Sequence, residues 1–98
     1  MKYADFLRED MRLVMLRLLS EFPGFRSNSS ILLGALERLG HVVSCDQVKT
    51  EMRWLQEQGL ISIEDIGPVL VAELTGRGED VANGRARVDG VKRPRARG

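Results

Sequence analysis

The stretch from Ser44 to Leu74 constrains this chain most. In SCDQVKTEMRWLQEQGL, Ser44 can cap a helix, and Gln47 three residues on can reach back to the cap's own N–H. Val48, Met52 and Leu55 then recur at helical spacing as one buried stripe, and Gly59 supplies a stop. The opposite face carries Asp46, Lys49, Thr50, Arg53 and Glu57. Beyond the glycine, LISIEDI and VLVAEL are two β-rich runs joined through Gly67-Pro68, a hairpin signal. An amphipathic helix delivered directly into two paired strands leaves few folds open.

The remaining segments narrow them further. The spacing predicts a long helix from Tyr3 to Phe22 with Leu7, Met11, Val14, Met15, Leu18 and Phe22 on one face. Phe6, Leu13 and Leu16 gather on the opposite side, so this helix is covered twice. Either another helix of the same chain, the C-terminal one, lies there, or these three residues form a homodimer interface. Pro23-Gly24 ends the helix, and Phe25 is expected to tuck into the core. RSNSS reads as a polar turn offering Asn28 or Ser29 as the cap of a second helix, about Ser30 to Leu39. Leu32, Leu33, Leu36 and Leu39 are available there for burial, and Gly34 inside it implies close approach of a neighbour.

Two helices joined across Gly40-His41-Val42-Val43 make a helix-turn-helix unit. With the hairpin added, the fold class is mainly α (α+β), a winged helix-turn-helix. It has a three-helix core, a β-hairpin wing and a short last helix capped by Thr75 and ending near Gly84. Residues 1–84 form this domain; residues 85–98 read as a basic, disordered tail, being poor in apolar side chains and rich in like charges.

A length of 98 residues suits one small core and not two. No apolar run approaches the ~20 residues of a membrane span, and acids in MKYADFLRED occupy the place of a secretory apolar region. One cysteine fits a reducing, cytoplasmic setting. The net charge of +1 hides an asymmetry: six basic residues and one acid follow Gly84, leaving nine basic and thirteen acidic residues before it.

An enzyme is not expected. Lone His41 and lone Cys45 cannot build a metal site, and no phosphate loop or nucleophile elbow is present, so neither metal nor cofactor is implied. His41 reads as a polar turn residue and Cys45 as a small buried hydrophobe. Double-stranded DNA is the better-supported partner. Gln47, Lys49, Thr50 and Arg53 are types that bond base edges or phosphates. Arg85, Arg87, Lys92, Arg93, Arg95 and Arg97 supply cations for a groove or backbone. Asp46, Glu51 and Glu57 on the same helix, and Glu64 and Asp65 at the hairpin turn, oppose it. Trp54 is expected to pack on the hairpin over Val69 or Val71, or else to anchor a protein partner.

YADFLREDMRLVMLRLLSE, GHVVSCDQVKTEMRWLQEQGLISIED and LTGRGEDVANGRARVDGVKRP together resemble the small winged-helix proteins of Mu-like phages and prophages. Similar chains are also described as ArsR-like transcriptional regulators. The resemblance implies a winged-helix fold, a phage gene, a bacterial host's cytoplasm and DNA binding. Metal-sensing members use cysteines on the recognition helix; Cys45 has no companion here. Two functions stay in view: a DNA-binding regulator, and a protein-interaction module docking a phage or host protein with little DNA affinity.

Overall fold

A 19-residue helix, α1 (Tyr3–Glu21), opens the computed structural model, which describes residues 2–95. It is followed by a single turn at Pro23–Phe25, a short strand β1 (Arg26–Asn28) and α2 (Ser29–Arg38). Then come α3 (Cys45–Glu57), β2 (Ile61–Ile66), β3 (Val69–Leu74) and α4 (Gly76–Ala82). The three strands form one antiparallel sheet in the order β1-β3-β2. The described residues thus form an α+β fold of four α-helices and a three-stranded sheet.

The helix starts follow from capping chemistry. Asn28 Oδ1 accepts from the Ile31 N–H, Ser44 Oγ from Gln47 N–H and Thr75 Oγ1 from Gly78 N–H, each satisfying a donor that the first turn leaves unpaired. Met11, Met15, Leu16, Leu19, Leu32, Leu36, Val48, Met52, Leu55 and Leu60 fill the core. In β3 the alternation is regular: Leu70, Ala72 and Leu74 point into the core, while Glu73 faces solvent. The outer half of the hairpin, Glu64 to Pro68, projects beyond the core and is exposed.

Several expectations need correction. RSN is not a bare turn: it pairs with β3 in the register Arg26↔Glu73, Ser27↔Ala72, Asn28↔Val71. Ser29 extends that ladder by a side chain, its buried Oγ accepting from Leu70 N–H at 3.1 Å. Three residues without apolar alternation carry no strand signal, which is why this edge was invisible. Phe25 does not enter the core; it holds a φ of +57° in the turn and is 43% exposed. Leu39 is the C-cap of α2, where the chain leaves helical geometry, and is 58% exposed.

Of the two coverings open for Phe6, Leu13 and Leu16, the chain's own elements account for the two leucines. Leu13 and Leu16 are buried within this chain, where α4 packs on α1. Phe6 remains partly exposed beneath the Lys92 ammonium, 5.3 Å from its ring centroid. The segment expected to be a disordered tail folds back through Arg95. Val88 and Val91 are buried, the Lys92 N–H donates to the Glu9 carbonyl at 3.1 Å, and Pro94 returns to Gly84. Residues 84–94 therefore close a loop whose ends meet and whose own valines plug it onto the body, in the manner of an Ω-loop.

Two helical glycines have opposite meanings. At Gly78 a Cβ would stand 2.0 Å from the Leu60 carbonyl oxygen and 2.7 Å from Leu74 Cδ1, so only glycine lets α4 sit this close to the start of the hairpin. At Gly34 a Cβ meets nothing within 4 Å, contrary to the close neighbour expected there. Gly34→Ala should raise stability by up to about 1 kcal/mol, a rise in Tm of roughly 4–8 °C for a domain of this size. Gly78→Ala should lower it by about 2 kcal/mol or more. Thermal unfolding followed by circular dichroism checks both signs.

Candidate functional site

The solvent face of α3 carries Lys49, Thr50 and Arg53, whose spacing places them on a single stripe about one turn long. All three remain at least partly exposed. The β2–β3 hairpin lies beside this stripe and engages both cations. Lys49 Nζ donates to the Pro68 carbonyl at 2.9 Å, and Arg53 Nη2 is 3.4 Å from Asp65 Oδ2. Thr50 is left open between them. Gln47 is not part of this face: its amide Nε2 donates to Glu51 Oε2 at 2.6 Å, toward α1, and its side chain does not close the capping box.

The inward face of α3 carries a charge that was expected to lie outside. Glu51 is 2% exposed, and its Oε1 accepts from Arg12 Nε at 2.6 Å. Arg12 also donates from Nη1 to the Gly90 carbonyl at 2.9 Å, and its guanidinium lies 3.8 Å from the centroid of the Trp54 ring. A Cβ on Gly90 would stand 2.7 Å from Trp54, so the loop must present glycine there. Trp54 therefore packs toward α1 and the C-terminal loop, not over Val69 or Val71. An indole face and a carboxylate are the partners a buried guanidinium requires.

A second cluster ties the α2–α3 turn to α1. His41 Nε2 lies 2.7 Å from Asp10 Oδ2, and Lys92 Nζ donates to Asp10 Oδ1 at 3.1 Å. Burial alone would raise the Asp10 pKa, but hydrogen bonds from His41 and Lys92, reinforced by the Lys92 charge, outweigh it and hold the carboxyl below its usual value. An ionised carboxylate only accepts, so His41 Nε2 carries the hydrogen of that bond. His41 is thus a structural link and more than a polar turn residue. Cys45, expected to be buried, is exposed at the start of α3.

The remaining basic side chains are distributed unevenly. Arg85 pairs with Asp80 at 3.2 Å and Lys92 with Asp10, whereas Arg87, Arg93 and Arg95 are exposed and form no ion pair among the described residues. Arg97 lies outside the described residues. A groove of about 540 Å³ opens between α1 and the turn before α3. Leu7, Met11, Val42 and Val43 line it, with Arg8 at its rim. Among the described residues no His, Cys, Asp and Glu side chains converge to hold a metal ion, and no helix is long and apolar enough to cross a membrane.

No family model matches the chain. It is 50% identical over 93 residues to the uncharacterized protein gp26 of Escherichia phage Mu, spanning 95% of this chain and 96% of that one. The chain belongs to the phage Mu gp26 family. A Haemophilus influenzae protein, also uncharacterized, is 42% identical over 78 residues, or 79% of this chain and 76% of its own length. Membership in the gp26 family accords with the resemblance to Mu-like phage proteins carried by the three sequence blocks.

Sequence reasoning missed the Arg12–Glu51 pair although a signal existed. Glu51 stands three residues after Val48 and four before Leu55, inside the apolar stripe, and Arg12 stands between Met11 and Leu13 on a helix apolar on two sides. Charged residues within such stripes must find each other or remain uncompensated.

The two clusters can be tested by substitution. Arg12→Met alone should cost roughly 3 kcal/mol, because Glu51 loses its close partner and keeps only the half-exposed Arg8, whose Nε stands 3.8 Å from Oε2, while Arg12→Met combined with Glu51→Leu should recover most of that loss in urea unfolding. Asp10 behaves as a carboxyl depressed by folding, so its contribution is present above the ordinary carboxyl range, near pH 4, and disappears as the pH falls through its folded value. Asp10→Asn should therefore destabilise at pH 7 by roughly 1.5 kcal/mol or more. The gap to the wild type should narrow as unfolding is measured at successively lower pH.

Proposed function

We propose that this gp26-family protein is a winged-helix DNA-binding protein, a transcriptional regulator of a phage or prophage acting in the bacterial cytoplasm, and not an enzyme. In this reading α2 and α3 form the helix-turn-helix, α3 is the recognition helix, and the β2–β3 hairpin is the wing. The observation that carries it is the outward stripe Lys49, Thr50 and Arg53 on a capped 13-residue helix with a β-hairpin at its flank. Such a helix is about 20 Å long and fits a major groove about 12 Å wide. Arg53 offers a guanidinium suited to guanine, and Thr50 a hydroxyl and methyl for base edges. Arg87, Arg93 and Arg95 are the available phosphate contacts, with Arg97 beside them in sequence.

The body offers little further attraction to a phosphate backbone. Asp46, Glu57, Glu64 and Asp65 are exposed around the same face, so affinity rests on few ionic contacts and should depend only modestly on salt. A second reading is favoured by the groove beside Leu7 and Val42 and by Tyr3, which is 75% exposed. There the protein docks a phage or host protein through that apolar end.

Selection from a random DNA pool at moderate salt, followed by fluorescence anisotropy on the enriched sequence, tests the first reading. Arg53→Ala should weaken binding by about tenfold, within the 1–3 kcal/mol of one base contact. Replacing Arg87, Arg93 and Arg95 by Gln should flatten the salt slope by about 0.9 for every phosphate no longer neutralised. Failure to enrich any sequence, with capture of a defined protein that Val42→Asp abolishes, would transfer the assignment to the docking reading.

A further inference from the structure

Both cations on the outward stripe of α3 are already in use within the chain. The register places Asp65 opposite Leu70 and Ile66 opposite Val69, so Asp65 and Pro68 flank the two ends of the hairpin tip. From there they reach Arg53 and Lys49, which stand four residues apart on α3. The Arg53 and Asp65 side chains are 48% and 63% exposed, so this is a solvated ion pair that a competing ligand can open. The neighbouring acid Glu64 is engaged differently: its partner is Arg26 on β1, at 3.5 Å. Asp65 is thus the acid of the hairpin that faces the α3 stripe.

We infer that Asp65 is a built-in counter-ion that occupies Arg53 and masks it from DNA phosphates. This role rests on the DNA-binding reading and deepens it. A phosphate presents one diffuse charge, available at every position of any duplex, and must displace a carboxylate already at hand. A guanine edge offers Arg53 two acceptors in fixed geometry, which a single carboxylate contact at 3.4 Å does not match. Any contact of Arg53 with DNA must first open this pair, so the pair lowers affinity for arbitrary DNA by the fraction of molecules in which it is closed. Lys49, held on a neutral carbonyl, lacks such an anionic competitor in the same contact.

A double-mutant cycle on the full chain tests this. Affinity for a random-sequence duplex would be measured by anisotropy for the wild type, Asp65→Asn, Arg53→Gln and the double variant, with Glu64→Gln as the charge control. Asp65→Asn should tighten random-duplex binding and steepen its salt slope by about 0.9, one phosphate contact. Its gain should be about twofold to fivefold larger with Arg53 present than in the Arg53→Gln background, the range expected of an exposed ion pair. Glu64→Gln should give the same gain in both backgrounds. If DNA binds but Asp65→Asn gains equally with and without Arg53, Asp65 acts only as a bulk negative charge and the masking role is overturned. If no variant binds DNA of any sequence, the DNA-binding reading itself falls, and this inference with it.

Discussion

The Arg12–Glu51 ion pair governs how this molecule is assembled. Two charges cannot be withdrawn from water by different helices unless those helices meet in one register. Here Arg12 of α1 and Glu51 of α3 meet at 2.6 Å, with Trp54 against the guanidinium and the Gly90 carbonyl beside it. The pair fixes α3 on α1 and, through Gly90, fastens the last segment of the chain to both.

That inward commitment determines what α3 presents outward. With Glu51, Gln47 and Trp54 turned toward α1, the solvent side carries the short stripe of Lys49, Thr50 and Arg53 with Asp46, Gln56 and Glu57 around it. The hairpin then supplies acceptors to both cations. The proposed DNA-binding face is consequently net acidic, with Lys49 and Arg53 against Asp46, Glu57, Glu64 and Asp65, and sequence discrimination there depends on geometry more than on attraction. The exposed arginines of the C-terminal segment are separate from it in the chain, held near the body because Val88 and Val91 are buried and Lys92 is tied to Asp10.

Legibility followed the range of the forces involved. The caps at Asn28, Ser44 and Thr75, the stop at Gly59 and the strands around Gly67-Pro68 depend on neighbours within a few residues, and each could be read directly. The strand at Arg26–Asn28 could not, since it exists only because β3 offers it an edge and Ser29 extends the pairing. The covering of Leu13 and Leu16 was anticipated as one of two alternatives, and packing of α4 on α1 selected the intramolecular one.

By itself, then, the amino-acid order determined the helices, their ends, the hairpin and the apolar stripes, because these arise from local hydrogen bonding and periodic hydrophobicity. Only the tertiary structure decided which charges face inward, that Trp54 lies against Arg12, that the basic C-terminal segment is fastened down through Val88 and Val91, and that Arg53 meets Asp65. Those outcomes depend on groups separated by 12 to 78 positions in the chain, and burial and ion pairing act on distance in space, which sequence separation does not encode.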